Sequence, residues 1–163
     1  MKKRGVSMQE KTNVMRILDS KKINYKPYYY NSNDAIAGQD VASLLGENPS
    51  QVFKTLVTRA HSKLYYVFVI PVSKELDLKK AAKSVGEKSI EMIKQKELLP
   101  LTGYIHGGCS PIGMKKFFKT VVDITSKDFE TIYISAGKVG YQIEISVEDL
   151  AKVIRVQFDD LVK

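Results

Sequence analysis

The segment Gln51-Val52-Phe53-Lys54-Thr55-Leu56-Val57-Thr58-Arg59 constrains this chain most. β-Branched and aromatic residues dominate it, which is the composition of a strand. Side chains alternate across a strand, so Val52, Lys54, Leu56 and Thr58 share one side, and Phe53, Thr55 and Val57 the other. Apolar residues on both sides predict a strand covered on both faces. Lys54 then stands in the middle of an apolar row. An ammonium buried without a partner is costly, so it must neutralise, find a counter-charge or reach an opening. Two readings fit: a lysine snorkelling from an edge strand, or one pointing into a pocket that receives an anion or a polarised carbonyl.

The neighbouring segments build a sheet around this strand. Leu64-Tyr65-Tyr66-Val67-Phe68-Val69-Ile70 is a second strand, and the short turn at His61-Ser62-Lys63 predicts a hairpin. Upstream, residues 1–9 read as a flexible basic leader. Val14, Ile17 and Leu18 give helical spacing between Glu10 and Lys21, and Ile23 to Tyr30 reads as a strand. It ends in Tyr28-Tyr29-Tyr30, which cannot all face one way, so at least one is expected at a surface or cleft. A polar loop over Asn31 to Ala37, a brief helix from Asp40 to Leu45 closed by Gly46, and a turn at Asn48-Pro49-Ser50 lead back to Lys54.

Downstream, Asp77 caps a helix with Leu78, Ala81, Ala82 and Val85 on one stripe. Lys79, Lys80 and Lys83 lie on its remaining surface, facing solvent or phosphates. Ser89 is expected to cap a further short helix through Lys96. Val121 to Ile124, Thr131 to Ser135 and Tyr141 to Ile145 read as strands. Ser146 with Asp149 resembles a capping box for a last helix bearing Val147, Leu150, Ala151 and Ile154, and Arg155 to Phe158 reads as a closing strand. Strands joined by both hairpins and helices predict a single α/β (α+β) domain over residues 10–163 with a mixed sheet.

Composition narrows the function classes. The 163 residues, 44% of them hydrophobic, suit one globular domain. No apolar run reaches the length of a membrane span, and Met1-Lys2-Lys3-Arg4-Gly5 lacks the apolar core of a signal peptide, so a cytoplasmic protein without membrane partners is expected. One cysteine excludes an internal disulfide framework. A net charge of +8 favours polyanionic partners such as nucleic acid.

The most unusual stretch is Gly107-Gly108-Cys109-Ser110-Pro111-Ile112-Gly113-Met114-Lys115-Lys116. Glycines let backbone N–H groups approach a ligand and can form an anion-binding nest; a tight structural turn has the same composition. Gly108 and Gly113 have nucleotide P-loop spacing, but Met114 stands where that loop needs lysine, which excludes an NTPase. His61, His106 and Cys109 are too few for a metal centre, so neither metal nor cofactor is expected. His106 with Cys109 could in principle form a nucleophile pair, although such spacing beside glycines also arises by accident. No serine-nucleophile signature or acid/base carboxylate pair stands out. A strand lysine, a glycine-rich turn and a Ser-Ala-Gly turn offer positive charge and backbone donors. That set suits a substrate bearing phosphate and an ester, catalysed mainly by binding and orientation.

Four segments, in order and spacing, resemble the YbaK/EbsC family of Cys-tRNA(Pro) deacylases, relatives of the editing domain of bacterial prolyl-tRNA synthetases. They are Val52-Phe53-Lys54-Thr55-Leu56, residues 76–83, Gly107-Gly108-Cys109-Ser110-Pro111-Ile112-Gly113 and Ser135-Ala136-Gly137-Lys138. The resemblance implies a mixed, curved, barrel-like sheet flanked by helices. It also implies trans-editing of tRNA(Pro) mischarged with cysteine, an error that a synthetase pocket cannot exclude by size alone. By the same resemblance, Lys54 orients the aminoacyl-adenosine end and the substrate's own thiol attacks the ester. Tyr30, Thr55, Gly107, Gly108, Ser110, Pro111, Ser135, Gly137, Lys138 and Gln142 would bind substrate. The partners implied are the acceptor end of tRNA(Pro) and, transiently, prolyl-tRNA synthetase. At Gln142, well-studied members of the family carry aspartate; glutamine keeps hydrogen bonding but loses the charge, so a weaker contact to the substrate ammonium is expected. Two alternatives are a deacylase for another small aminoacyl-tRNA such as Ala-tRNA(Pro), and a non-catalytic tRNA- or synthetase-binding module.

Overall fold

Strand register explains why Lys54 can sit in an apolar row. In the computed structural model, which describes residues 10–31 and 38–163, the strands are β1 (Lys26–Tyr29), β2 (Phe53–Ala60), β3 (Tyr65–Pro71), β4 (Ile90–Met92), β5 (Lys119–Asp123), β6 (Thr131–Lys138), β7 (Tyr141–Ser146) and β8 (Val156–Asp159). The helices are α1 (Asn13–Ser20), α2 (Gly38–Leu45), α3 (Leu78–Ser84), α4 (Gln95–Thr102) and α5 (Val147–Val153). The expected leader and most of the expected loop before α2 lie outside the described residues. No described helix is long and apolar enough to cross a membrane.

The strands form two sheets, one ordered β1-β7-β6 and the other β4-β2-β3-β5-β8. The first is antiparallel, whereas the second is mixed, since β3 pairs with β5 and β5 with β8 in parallel. The expected hairpin is present, with Lys54 opposite Ile70 and Arg59 opposite Tyr65. β4 pairs only with Thr58–Ala60, so the edge of β2 from Phe53 to Leu56 carries no strand on that side. Lys54 therefore occupies an open stretch of sheet edge.

β3 is buried on both faces. Val67 and Val69 join a core with Val14 and Leu18 of α1, Ile132 and Ile134 of β6, Ile143 and Ile145 of β7, and Leu150 of α5. Phe68 and Ile70 join a second core with Ala81 and Ala82 of α3, Val121 of β5 and Leu161. This is the apolar-on-both-sides pattern of a covered central strand. Helix starts follow their caps. The Asp77 side chain accepts from the N–H groups of Lys79 and Lys80, and the Ser146 hydroxyl accepts from Asp149 N at 3.0 Å.

Two local expectations are corrected. Ser89 does not open a helix: Ile90–Met92 is an edge strand, and α4 begins later, with Glu97 accepting from Lys94 N at 2.8 Å. Burial of Ile90 in the second core and pairing with β2 override the local helical pattern. Leu78, expected on the buried stripe of α3, is exposed, because Ala81 and Ala82 already meet the sheet.

Two features join the sheets at the future site. Val52 and Tyr133 form an isolated parallel bridge, strengthened by Tyr133 N donating to Gln51 O at 3.1 Å and Gln51 Nε2 donating to Thr131 O at 2.9 Å. In addition, the glycine-rich loop lies directly on the β6–β7 turn. A Cβ at Gly108 would stand 2.9 Å from Val139 N and 3.2 Å from Lys138 C, both backbone atoms that cannot rotate away. Gly108→Ala is expected to destabilise by about 1–3 kcal/mol, the usual cost of overpacking, measured as a lower denaturant midpoint. Gly86→Ala, at an exposed helix end with open space around it, carries only the strain of its positive φ of 70° and serves as the comparison.

Candidate functional site

Beyond the Val52–Tyr133 bridge, β2 and β6 share no further ladder, and a cavity of about 320 Å³ lies between them. Small-ligand pockets run from roughly 300 to 1,000 Å³, so this is a compact one. β2 contributes Phe53, Lys54, Thr55 and Leu56; β6 contributes Ile134 and Ser135; β7 contributes Tyr141 and Gln142. Tyr30, Val41 of α2, Val52, Val72, Leu98 of α4 and the loop residues His106, Gly107 and Cys109 complete the walls.

Several polar groups in this largely apolar enclosure lack partners among the described residues. Lys54 is half-buried, and among the described residues no carboxylate or hydrogen-bond acceptor engages its amine. The Thr55 hydroxyl and Gln142 Oε1 are buried without partners. Native proteins leave such groups unpaired only rarely, and a ligand is one reason to do so. Gln142 Nε2 donates to Glu47 Oε1 at 3.0 Å, and Glu47 Oε2 is buried and unpaired. Burial pushes the Glu47 carboxyl up to about 7; the hydrogen bond from Gln142 opposes the shift and the nearby Glu144 charge adds to it.

Of the residues expected at the site, Lys54, Tyr30, Thr55, Gly107, Ser135 and Gln142 line the cavity. The Tyr30 amide is fixed by donating to Gly140 O at 3.0 Å. The other expected residues stand behind the wall. Gly108 packs on the β6–β7 turn, and Ser110 is fully buried, its hydroxyl accepting from Ile112 N at 3.2 Å. Pro111 is buried beside it. Gly137 has φ 94° within a bulge of β6 and faces the core, where a Cβ would meet Val14 at 3.0 Å and Tyr104 at 3.1 Å. Lys138 is exposed and lies over the ring of Tyr141, 5.0 Å from its centroid. It borders the cavity through that ring rather than directly.

Glu47, which bonds the lining residue Gln142, and Tyr141, which lines the cavity, are not singled out by the sequence. Glu47 falls between the helix stop at Gly46 and the turn at Asn48-Pro49-Ser50, and no local pattern marks a carboxyl that reaches a strand 95 positions away. Tyr141 was read only as the start of an alternating strand; it packs edge-on against Tyr29 at 5.2 Å. His106 and Cys109 both reach the cavity. Burial pushes the Cys109 thiol up to about 12, so it stays protonated near neutrality and is a poor nucleophile. Lys79 and Lys83 are exposed on α3 and are not among the cavity's lining residues; Lys80 is tied to the C-terminal segment, donating to Asp160 Oδ2 at 2.9 Å and Val162 O at 2.7 Å. Among the described residues, no group of three His, Cys, Asp or Glu side chains could hold a metal ion.

Comparison with known proteins agrees with this architecture. The profile of the aminoacyl-tRNA editing domain matches residues 33–153. EbsC of Enterococcus faecalis, described as a candidate Cys-tRNA(Pro)/Cys-tRNA(Cys) deacylase, is 44% identical over 154 residues, spanning 94% of each chain. Among solved structures, one of APE2540, a hypothetical protein, superposes with a TM-score of 0.85 at 22% identity over 93% of this chain and 100% of that one. A candidate trans-editing enzyme for prolyl-tRNA synthetase superposes with a TM-score of 0.81 at 20% identity, covering 94% of this chain and 99% of the other. At such identities these two structures establish the fold alone. Taken with the sequence relationships, this chain belongs to the aminoacyl-tRNA editing domain family.

Proposed function

We propose that the chain is a trans-editing hydrolase that removes cysteine from mischarged Cys-tRNA(Pro), with Lys54 as its principal catalytic residue. The observation that carries this reading is the Lys54 amine, half-buried on an apolar wall and free of any acid among the described residues, with Thr55, Ser135 and Gln142 around the same cavity. An unpaired ammonium in such a place attracts a polarised carbonyl or an anionic oxygen, and it stabilises charge that grows on that oxygen in the transition state. The 44% identical relative described as a candidate Cys-tRNA deacylase supports the choice of amino acid.

In this reading the cavity supplies position and electrostatics, not a nucleophile. The neutral Cys109 thiol is unsuited to attack. The cysteine thiol of the substrate instead attacks its own ester carbonyl: a carbon–sulfur bond forms, the ester carbon–oxygen bond breaks, and the thiol proton passes to the departing ribose oxygen, freeing the tRNA and a cyclic thioester that solvent water then opens to cysteine. Lys54 stabilises the carbonyl oxygen while Tyr30, Gly107, Ser135 and Gln142 hold the aminoacyl end. Gly108, Ser110, Pro111 and Gly137 act by fixing the two loops, and Lys138 by holding the Tyr141 ring. A cavity of about 320 Å³ encloses an aminoacyl group and little more, so tRNA identity must be read elsewhere. Transient docking on prolyl-tRNA synthetase would supply it, and the net charge of +8 suits contact with the tRNA backbone.

Lys54→Ala is expected to lower single-turnover deacylation of Cys-tRNA(Pro) by about 10²-fold or more, with an unchanged far-UV spectrum. Unchanged turnover would remove the lysine from the mechanism. A panel with Cys-tRNA(Pro), Ala-tRNA(Pro) and Cys-tRNA(Cys) is expected to give fastest release from the first; faster release of alanine would reassign the amino acid, and tRNA binding without hydrolysis of any member would make the chain a binding module. Affinity for tRNA is expected to fall linearly on a log–log plot against salt, measured by filter binding.

A further inference from the structure

The paired lysines after the glycine-rich loop open a segment that the cavity does not use, Lys115-Lys116-Phe117-Phe118-Lys119. It lies outside the four segments that carry the family likeness. Its two aromatic residues have opposite surroundings. Phe118 packs against the first core and meets the Tyr65 ring edge-on at 6.0 Å. Phe117, by contrast, is 72% exposed, the most exposed large hydrophobic among the described residues. A ring left in water beside an anchored neighbour is preorganised, so little freedom is lost when a flat partner lies against it.

The cations beside Phe117 have no acid partner. Lys116 and Lys119 flank the two rings, and both are exposed. Thr120 of β5 pairs in parallel with Val156 of β8, so the residues just before them, Lys119 and Arg155, stand side by side about 5 Å apart along the backbone. Arg155 is exposed as well. None of the four ion pairs among the described residues includes Lys116, Lys119 or Arg155. Lys152 of α5 is instead neutralised by Asp149 at 3.4 Å, and the Lys115 amine lies 3.4 Å from Pro100 O.

We propose that Phe117, Lys116, Lys119 and Arg155 form an RNA contact outside the cavity, in which the ring stacks on a nucleobase of the acceptor strand and the three cations hold its phosphates. This rests on the deacylase reading above. Lys119 is level with Tyr66 of β3 and, through it, with Thr58 of β2, four residues beyond Lys54. At about 3.3 Å per residue and about 4.8 Å per strand, the contact stands roughly 16 Å from Lys54 along the sheet. A stacked strand advances about 3.4 Å per nucleotide, so about five nucleotides bridge the two places. A flat ring among unpaired cations is how proteins hold RNA without reading its sequence: stacking accepts every base, and the charges follow the backbone. A lipid surface calls instead for a broad apolar face, and here one ring projects among cations.

The chain contains no tryptophan, so Phe117→Trp places a lone fluorescent reporter at the contact. Uncharged tRNA(Pro) transcript is expected to quench it saturably, whereas heparin, a polyanion without bases, is expected to leave it unquenched. By filter binding, Phe117→Ala is expected to weaken tRNA(Pro) about tenfold with an unchanged salt slope, and Phe117→Trp to bind as wild type does. Combining Lys116→Ala, Lys119→Ala and Arg155→Ala is expected to flatten the slope of log affinity against log salt by about 2, at roughly 0.7 per single-strand phosphate. All four side chains are exposed, so melting temperatures are expected to stay at the wild-type value. Wild-type tRNA affinity in Phe117→Ala, or an unchanged slope in the triple variant, would overturn the contact. A reporter that answers to anionic phosphatidylglycerol vesicles or to prolyl-tRNA synthetase, and not to tRNA, would overturn it in favour of a lipid or a protein. Hydrolysis of Cys-tRNA(Pro) by wild type alongside any of those results would leave the proposed reaction standing. Quenching by tRNA(Pro) from a protein that leaves Cys-tRNA(Pro) intact would overturn the reaction and keep the contact.

Discussion

The architecture depends on how two sheets meet. Among the described residues they share one backbone bridge, Val52 with Tyr133, and the pairing goes no further. Two parallel strands that touch at a single point and then lose their ladder must leave a space, and here that space is the cavity. Its floor is made by residues just past the bridge: Phe53 to Leu56 on one strand, Ile134 and Ser135 on the other. The short β4 matters as much, because by pairing only with Thr58–Ala60 it leaves the Lys54 stretch of edge free. The edge of a sheet is ordinarily a liability. In this molecule the unpaired stretch is enclosed by loop, helix and second sheet rather than exposed to other chains.

Around that gap the protein concentrates its unsatisfied polar atoms. Elsewhere among the described residues Ser73 Oγ and Ser126 Oγ are also buried without partners, while other buried polar groups are bonded. Asp123, fully buried, accepts from Leu161 N at 2.9 Å and from Thr125 N at 3.2 Å, and the Thr58 hydroxyl donates to Tyr66 O at 2.9 Å. At or just behind the cavity, Thr55 Oγ1, Gln142 Oε1 and Glu47 Oε2 lack partners among the described residues, and none of those residues gives the Lys54 amine a counter-charge. Such an arrangement costs stability, because each buried polar group without a partner keeps its desolvation penalty. The glycines take the complementary part. Gly108 lets one loop lie on the backbone of another turn, and Gly137 lets β6 bulge against Val14 and Tyr104. Both hold the walls in place without touching the cavity themselves.

Much of this was legible in the chain. The hairpin of β2 and β3, the two helix caps at Asp77 and Ser146, and the closing strand β8 all follow from local patterns of burial and capping. Lys54 could be singled out because a charge in an apolar row demands an explanation, and both readings of it turn out to describe one fact: it sits on an edge, and that edge opens into a pocket. The misplaced helix after Ser89 failed for a physical reason. Three residues with weak preferences take the conformation that an available strand edge offers, and nothing local announces that edge.

Residue order by itself determined the apolar periodicities, the caps, the cation stranded among hydrophobic neighbours and the glycine motifs that carry the family likeness, because each is set by side chains within a few positions of one another. Tertiary structure alone decided that Gly108 and Gly137 pack rather than contact the cavity, that Cys109 reaches its wall as a neutral thiol, and that Glu47 stands behind Gln142. Those outcomes depend on which distant segments meet across the gap between two sheets, and desolvation and unpaired acceptors exist only once they have met.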